Sequence, residues 1–414
     1  MADLTTPSQP DAPVDLTSCD REPIHTLGRV QSYGCLLAAS PDWIIKHVSE
    51  NTSDILGVEA ETLIGTRFVD QFPQETVHTL RTKMQIMSQG AGATRVFAMD
   101  VFEDGRLFDV SIHVSDRSYV FEFEPKRSGG VRDDMSMVQP LLKRVTRQKT
   151  LEGMTHAAAV ALKVISEFDR VMVYKFVEDD SGLVIAEDCV DGMEPYLGLR
   201  YPASDIPRQA RELYKRSLIR LIADVDDAGS AIIPAHSPEG KPLDLSLSVT
   251  RAVSPIHLEY LRNMGVKASM SVSIMRDGEL WGLFACHHRE PLLVDYERRT
   301  AIELFAQFFS YELARKETEV AREQEDRSRV LHDQLMMRMS EGTNLVANFS
   351  AVDQEIAEAV EYDGIVLYSD GQFVAKGSTP TEEEFRGLVR FLNTAAASQI
   401  YATDDLGARY SKLD

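Results

Sequence analysis

The chain is 414 residues long, 43% hydrophobic and 26% charged, with a formal net charge of −21. That length suits roughly two to four domains with sizeable cores. The acidity disfavours nucleic acid and anionic lipid as partners, since both need neutralised phosphates, and no run of about eighteen apolar residues offers a membrane span.

Residues 1–20, "MADLTTPSQPDAPVDLTSCD", are polar and lack the basic and apolar segments of a secretory signal. They read as a flexible arm on a cytoplasmic protein. The four cysteines, Cys19, Cys35, Cys189 and Cys286, form no CxxC pair, which argues against zinc and thioredoxin-type chemistry. Cys35 and Cys286 lie in apolar, strand-like runs and read as buried small hydrophobes. Cys19 sits in the polar arm, where a thiol is free to react.

Residues 21–125 predict an α+β domain. "CLLAAS" and "WIIKHVS" read as strands joined by a short turn, and "ETLIGTRF" and "ETVHTLRTKMQIM" as helical pieces. "ATRVFAMDVF", "RLFDVSIHVSD" and "SYVFEFEP" complete an antiparallel sheet with helices on one side. Residues 126–138, within "PKRSGGVRDD" and beyond, read as a linker. Residues 139–318 predict a second α+β domain, with strands at "RVMVYKFVED" and "SGLVIAEDC". It ends in the hairpin "ASMSVSIMRDGELWGLFACHH", turned by Asp277-Gly278. From 296 to about 340, Ile302, Phe305, Phe309 and Leu313 recur at helical spacing. A helix that long suits a connector or a dimer seam. The remainder of 319–414, a hairpin at "YDGIVLYSDGQFVAKG" and a helix at "TEEEFRGLVRFLNT", reads as the start of a third α+β domain.

The stretch "YPASDIPRQA" at 201–210 holds Asp205 between Pro202 and Pro207, which stiffen the backbone and remove donors. In the hairpin, Ser269, Ser271 and Ser273 alternate with Met270, Val272 and Ile274, so one strand face carries a row of hydroxyls. That face either meets solvent or lines a cavity. On the second strand Trp281, Leu283, Ala285 and His287 share a face by the same alternation. In "SPIHLEYLRNMG", Ser254 and Pro255 open a helix with His257 in its first turn. Two imidazoles, the hydroxyls, Arg220 and Arg251 suggest a site for an anionic, hydrogen-bonding ligand. A hydrolase triad of Asp205, His257 and a serine lacks the G-x-S-x-G elbow. A metal site from His257, His287 and His288 lacks a close-spaced ligand pair with an acidic third ligand. "LHDQL" has no Gly-rich nucleotide-binding sequence after it, so His332 reads as a helix-surface residue. Neither an enzyme nor a metal centre is expected.

"YPASDIPRQARELY", "SPIHLEYLRNMGVKASMSVSI" and "LWGLFACHH" closely resemble the chromophore-binding region of phytochromes, and "CDREPIHTLGRVQSYGCLL" resembles the start of the bacteriophytochromes. The resemblance covers nearly the whole chain. It implies a PAS domain, a GAF domain, a long connecting helix and a partial, GAF-like PHY domain. It also implies that Val30 and its neighbours thread a GAF loop of roughly 222–254 in a figure-of-eight knot, an exception to unthreaded topology. The implied function is red/far-red light sensing through Z/E isomerisation of a bilin D ring. Members using plant-type or cyanobacterial bilins carry a Cys directly before the pocket histidine; this chain has Ile256. Bacteriophytochromes instead attach biliverdin through an N-terminal Cys, which Cys19 matches. That implies biliverdin IXα held by a thioether.

Position by position, the resemblance gives the Asp205 carbonyl to the pyrrole N–H groups and its carboxylate to the D-ring side. It puts His257 near the A–C rings and His287 on the D-ring carbonyl. Arg220 and Arg251 hold the B-ring propionate; Ser269 and Ser271, with His257, serve the C-ring propionate. Tyr174, Tyr201 and Tyr260 line the D-ring cavity, and Ile206, Tyr214 and Ser254 complete the chromophore-binding set. The implied partners are a second copy through the GAF and connecting helices, and a histidine kinase or other output module outside this chain. The family's PRxSF tongue, which touches the motif aspartate, does not occur in the sequence, so a fragment of a receptor is expected. Two alternatives stay open: a PAS–GAF regulator of another small ligand, such as a cyclic nucleotide, and a bilin-binding fluorescent tag. The combination of Cys19, Asp205, His257 and His287 weighs against the first, and an intact Asp205 against the second.

Overall fold

The structure, a computed structural model, describes residues 23–87, 92–127, 134–340, 346, 348–369, 371–393, 401–403 and 406–410. Cys19 lies outside the described residues. The chain divides into two compact units, Met1–Arg315 and Lys316–Asp414.

The first unit opens with β1 (Arg29–Val30), β2 (Cys35–Ala39) and β3 (Ile45–Ser49). One-turn helices follow, α1 (Thr52–Ile55), α2 (Ala60–Leu63) and α3 (Phe68–Gln71), then α4 (Gln74–Met87), β4 (Thr94–Asp100), β5 (Leu107–Ser115) and β6 (Ser118–Pro125). Next come α5 (Asp134–Thr146), α6 (Leu151–Ser166), β7 (Arg170–Phe176), β8 (Gly182–Cys189), β9 (Arg200–Tyr201) and α7 (Arg208–Arg216). The unit continues through β10 (Ile219–Ile222), β11 (Ser230–Ile233), α8 (Pro255–Asn263), β12 (Ala268–Arg276), β13 (Glu279–His288) and the first part of α9 (Tyr296–Ser340).

Two antiparallel sheets result, in the orders β1-β11-β3-β2-β6-β5-β4 and β10-β12-β13-β7-β8-β9. The run "CLLAA" is apolar throughout because both faces of β2 are covered. Cys35, Leu37 and Ala39 face Leu56, Leu63, Phe68 and Leu80. Leu36 and Ala38 face Val30, Ile232, Leu243 and Leu245, so a loop from later in the chain seals the side the sequence left open.

That loop is threaded. Arg29 and Val30 pair with Ala231 and Ser230 on one side. On the other, Gln31 N donates to the Thr250 carbonyl (2.7 Å) and Ala252 N to the Arg29 carbonyl (2.9 Å). The Gln31 amide donates to the Leu221 and Arg251 carbonyls and accepts from Ala223 N. The segment therefore passes between the two limbs of 222–254, as the figure-of-eight requires.

In the second sheet, α5, α6 and α9 pack on one face, with Ile302, Phe305, Phe309 and Leu313 fully buried. The alanines of "HAAAVAL" let α6 sit close to β7 and β8. Two expectations need correction. Helix α5 begins at Asp134, inside the stretch 126–138 read as linker, where acidic Asp134 suits a helix N-terminus and meets Arg298 Nε at 3.3 Å. Trp281 does not share the face of Leu283, Ala285 and His287. Ile274 pairs with Gly282 and Met275 with Leu280, so Trp281 is the extra residue of a bulge and packs into the opposite core with Met270 and Phe284.

The second unit holds α10 (Phe349–Ala359), the hairpin β14 (Gly364–Ser369) and β15 (Gln372–Gly377), α11 (Glu382–Leu392) and α12 (Leu406–Arg409). Thr381 and Glu384 form a capping box at the start of α11.

Candidate functional site

The proline-rich stretch turns as its composition demands. Tyr201 pairs with Gly182 at the edge of the second sheet, Pro202 is extended, residues Ala203–Asp205 make one 3-10 turn, and Pro207 precedes α7. This backbone has few bonds of its own, and Arg211 supplies them from the next helix. Its Nε donates to the Ile206 carbonyl (2.9 Å), its Nη1 to Asp180 Oδ1 (2.9 Å) and its Nη2 to the Asp180 carbonyl (2.5 Å). The guanidinium also lies 4.3 Å from the centre of the Phe176 ring.

Asp205 projects into a cleft with two compartments, of about 310 and about 90 Å³. Asp205, Ile206, Tyr214, His257, Tyr260, Ser269 and Ser271 line both. Arg220, Arg251 and Ser254 line the larger; Tyr174, Tyr201 and His287 line the smaller. Every candidate named from the sequence and lying among the described residues thus reaches one cleft. The hydroxyl face of β12 is a cavity wall, resolving the choice left open above. Ser273 stands apart, its hydroxyl donating to the Tyr214 carbonyl at 2.8 Å. Ser254 is the N-cap of α8, though its hydroxyl makes no capping bond.

The charges are unusual. Arg220 Nη2 donates to the Arg251 and Ala252 carbonyls (2.5 and 2.8 Å). Its Nη1, and Nε and Nη1 of Arg251, are buried with no partner among the described residues. Burial lowers the Arg220 pKa, and burial together with Arg220 brings Arg251 down to about 9. Burial, then Arg220, holds His257 at about 4. Burial, then Arg170 and His257, holds His287 at about 3, and His287 Nδ1 has no partner among the described residues. Burial raises Asp205, against a hydrogen bond from the Tyr260 hydroxyl to Oδ2 at 3.4 Å. Burial and Asp205 in turn push Tyr174 up to about 12 and raise Tyr260.

Buried donors without acceptors are rare in native proteins. Here they gather at the arginine end, and flat aromatic walls gather at the other. The arrangement suits an elongated ligand with carboxylates at one end and a flat, hydrogen-bonding ring at the other. The sequence reading missed Met172 and Tyr196, which line the smaller compartment, and Ile24, which lines the larger. Tyr196 lies in irregular chain, held under Arg170 at 3.8 Å, and no periodicity marks it. Among the described residues no group of three or more His, Cys, Asp or Glu could hold a metal ion, and no helix is long and apolar enough to cross a membrane.

The chain matches the PAS fold family over residues 19–126, the GAF domain over 150–313 and the phytochrome region over 328–414. The crystal structure of a bacteriophytochrome from the photosynthetic bacterium R. palustris superposes with a TM-score of 0.81 at 33% identity, over 96% of this chain and 80% of that one. The chain belongs to the bacteriophytochrome family. The phytochrome photosensory core module of Stigmatella aurantiaca is also similar, with a TM-score of 0.77 and 36% identity over 97% of this chain and 80% of that one. Cyanobacterial phytochrome B of Nostoc sp. is 35% identical over 99% of this chain and 54% of its own length. The bacteriophytochrome of Pseudomonas aeruginosa is 34% identical over 95% of this chain and 53% of its own length. This phytochrome chain therefore spans about half the length of the curated relatives it matches.

Proposed function

We propose that this chain is the light-sensing part of a bacteriophytochrome and holds biliverdin IXα in the cleft between β12, β13, α7 and α8. The observation that carries the reading is the set of buried nitrogens on Arg220, Arg251 and His287 without partners among the described residues, around one cleft of two compartments. Two guanidinium groups, each depressed by burial, call for carboxylates, and the propionates of a bilin supply them. Ser269 and Ser271 offer hydroxyls to the second propionate. Neutral His257 can accept from a pyrrole N–H, and His287 can donate to the D-ring carbonyl. Asp205 and the carbonyls of its rigid turn give a cationic pigment the acceptors it needs out of water. When bound, the tetrapyrrole supplies red-light absorption and a Z/E isomerisation that turns its D ring. The chain's part is to hold the rest of the pigment fixed and to exchange hydrogen bonds at Asp205 and His287, which biases a larger two-state element.

Cys19 is the proposed attachment residue. Ile24 borders the larger compartment, and the five residues back to Cys19 can span about 17 Å when extended. Cys19 would hold the pigment by addition of its thiol across the A-ring vinyl group, sulfur to one carbon and its proton to the neighbouring one. We further propose a cytoplasmic sensor without catalysis of its own, feeding a histidine kinase or other output module, and paired with a second copy through α9. Phe308 and Tyr311, one turn apart on α9 and 47% and 76% exposed, support that pairing.

The test is to mix the protein with biliverdin and record absorption before and after red light. A far-red band that changes with illumination is expected; its absence sinks the proposal. Zinc-induced fluorescence of the denatured band should vanish in Cys19→Ser, and persistence there would place the linkage elsewhere.

A further inference from the structure

Gly182 is the first residue of β8, and the ring of Tyr174 lies across it. A Cβ on Gly182 would stand 1.7 Å from Tyr174 Cζ, 1.8 Å from its Oη and 2.0 Å from its Cε1. Register explains the overlap. Tyr174 pairs with Val184, so Gly182 is its diagonal neighbour on the same sheet face, within reach of a long aromatic side chain. The φ of Gly182 lies outside the left-handed region, so the backbone does not demand glycine there. The ring does. Phe176 meets that ring edge-on at 5.4 Å, Tyr201 lies tilted against it at 6.1 Å, and the smaller compartment of about 90 Å³ lies beside it.

We propose that Gly182 is a positioning residue: it seats the Tyr174 ring flat on the sheet and thereby keeps open the space in which the D ring turns. This rests on the reading of the cleft as a bilin pocket. Any β-carbon at 182 drives the ring off the strand, and the compartment is the space available to receive it. A pigment so crowded still attaches, since Ile24 borders the larger compartment and Tyr174 the smaller, but it turns less and emits more.

Gly182→Ala should keep the zinc-induced fluorescence of the denatured band. The fraction converted by saturating red light should fall at least threefold, with a matching rise in fluorescence of the native protein. A second readout needs no pigment. Thermal unfolding of the pigment-free protein should show Gly182→Ala lowering Tm by several degrees alone, and by almost nothing when combined with Tyr174→Leu, which removes the ring atoms that collide. If Gly182→Ala alone does not fold, the double variant must. Unchanged photoconversion in Gly182→Ala, additive Tm shifts, or a double variant as defective as the single one each overturns the seat. Absence of a far-red band in the parent protein overturns the pigment reading instead, and the Tm cycle still decides the seat.

Discussion

His257 and His287 are imidazoles that the fold keeps neutral. Their pKa values are held at about 4 and about 3 by burial first and neighbouring cations second. Above about pH 6.5 both rings are neutral in the folded and the unfolded chain alike. Below it the unfolded chain takes up protons that the folded pocket refuses, so stability present at neutral pH is lost as pH falls through the window from 6.5 toward 4. Each ring contributes about 1 kcal/mol per pH unit in that window. Buried His113 resists protonation in the same way, so urea midpoints of the pigment-free protein should drop between pH 7 and pH 5, and His287→Asn should flatten the drop by about a third. An equal drop in the variant would mean that His287 is not buried neutral. At the same scale Asp205 is a fixed acceptor: it takes a hydrogen bond from the Tyr260 hydroxyl and faces the cavity.

At the scale of elements, α7 matters for what it reaches back to. Arg211 fixes the carbonyl of Ile206 and the turn at Asp180, and Asp180 is 79% exposed at its side chain, so that ion pair alone is weak. The bonds to the Ile206 and Asp180 carbonyls, with a longer one to Ala203, carry the clamp, and Arg211→Ala should cost about 2 kcal/mol. Arg211→Lys, with a single ammonium in place of a fork, should recover less than half of it, measured by urea unfolding. Full recovery by lysine would reduce the clamp to simple charge. The elements that were legible in the sequence are those whose pattern is local. The β12–β13 hairpin shows alternation and an Asp-Gly turn, and α8 announces itself through Ser254 and Pro255. The four-residue strands β10 and β11 escaped because their partners lie far along the chain, β11 even joining the other sheet. Trp281 escaped because a bulge shifts the alternation that the reading relied on. The hydroxyl face pointed to the site, but Tyr196, Arg211 and Gly182 owe their roles to contacts across loops that carry no periodic signal.

Across Met1–Arg315, one carboxylate ties the first sheet to the threaded loop. Glu122 on β6 is fully buried and accepts from the Ser248 hydroxyl, Val249 N, Thr250 N and the Thr250 hydroxyl. Two residues on, Glu124 pairs with Arg299 of α9. One strand of the first sheet thus holds both the threaded loop and a helix of the second domain. Because β1 lies between the limbs of that loop, the two sheets cannot part without unfolding one of them. The sequence contains two tryptophans, and they fall one to each sheet: Trp43 against Phe68 and Phe121, Trp281 in the core of the second. Single-tryptophan proteins carrying Trp43→Phe or Trp281→Phe should therefore report coincident urea transitions. Glu122→Gln replaces one acceptor oxygen by a donor facing N–H and O–H groups, at a cost of about 3 kcal/mol. Both tryptophans should register that loss as the same shift of midpoint. If Trp43 alone moves, the first sheet unfolds independently, and the threaded segment does not couple the sheets.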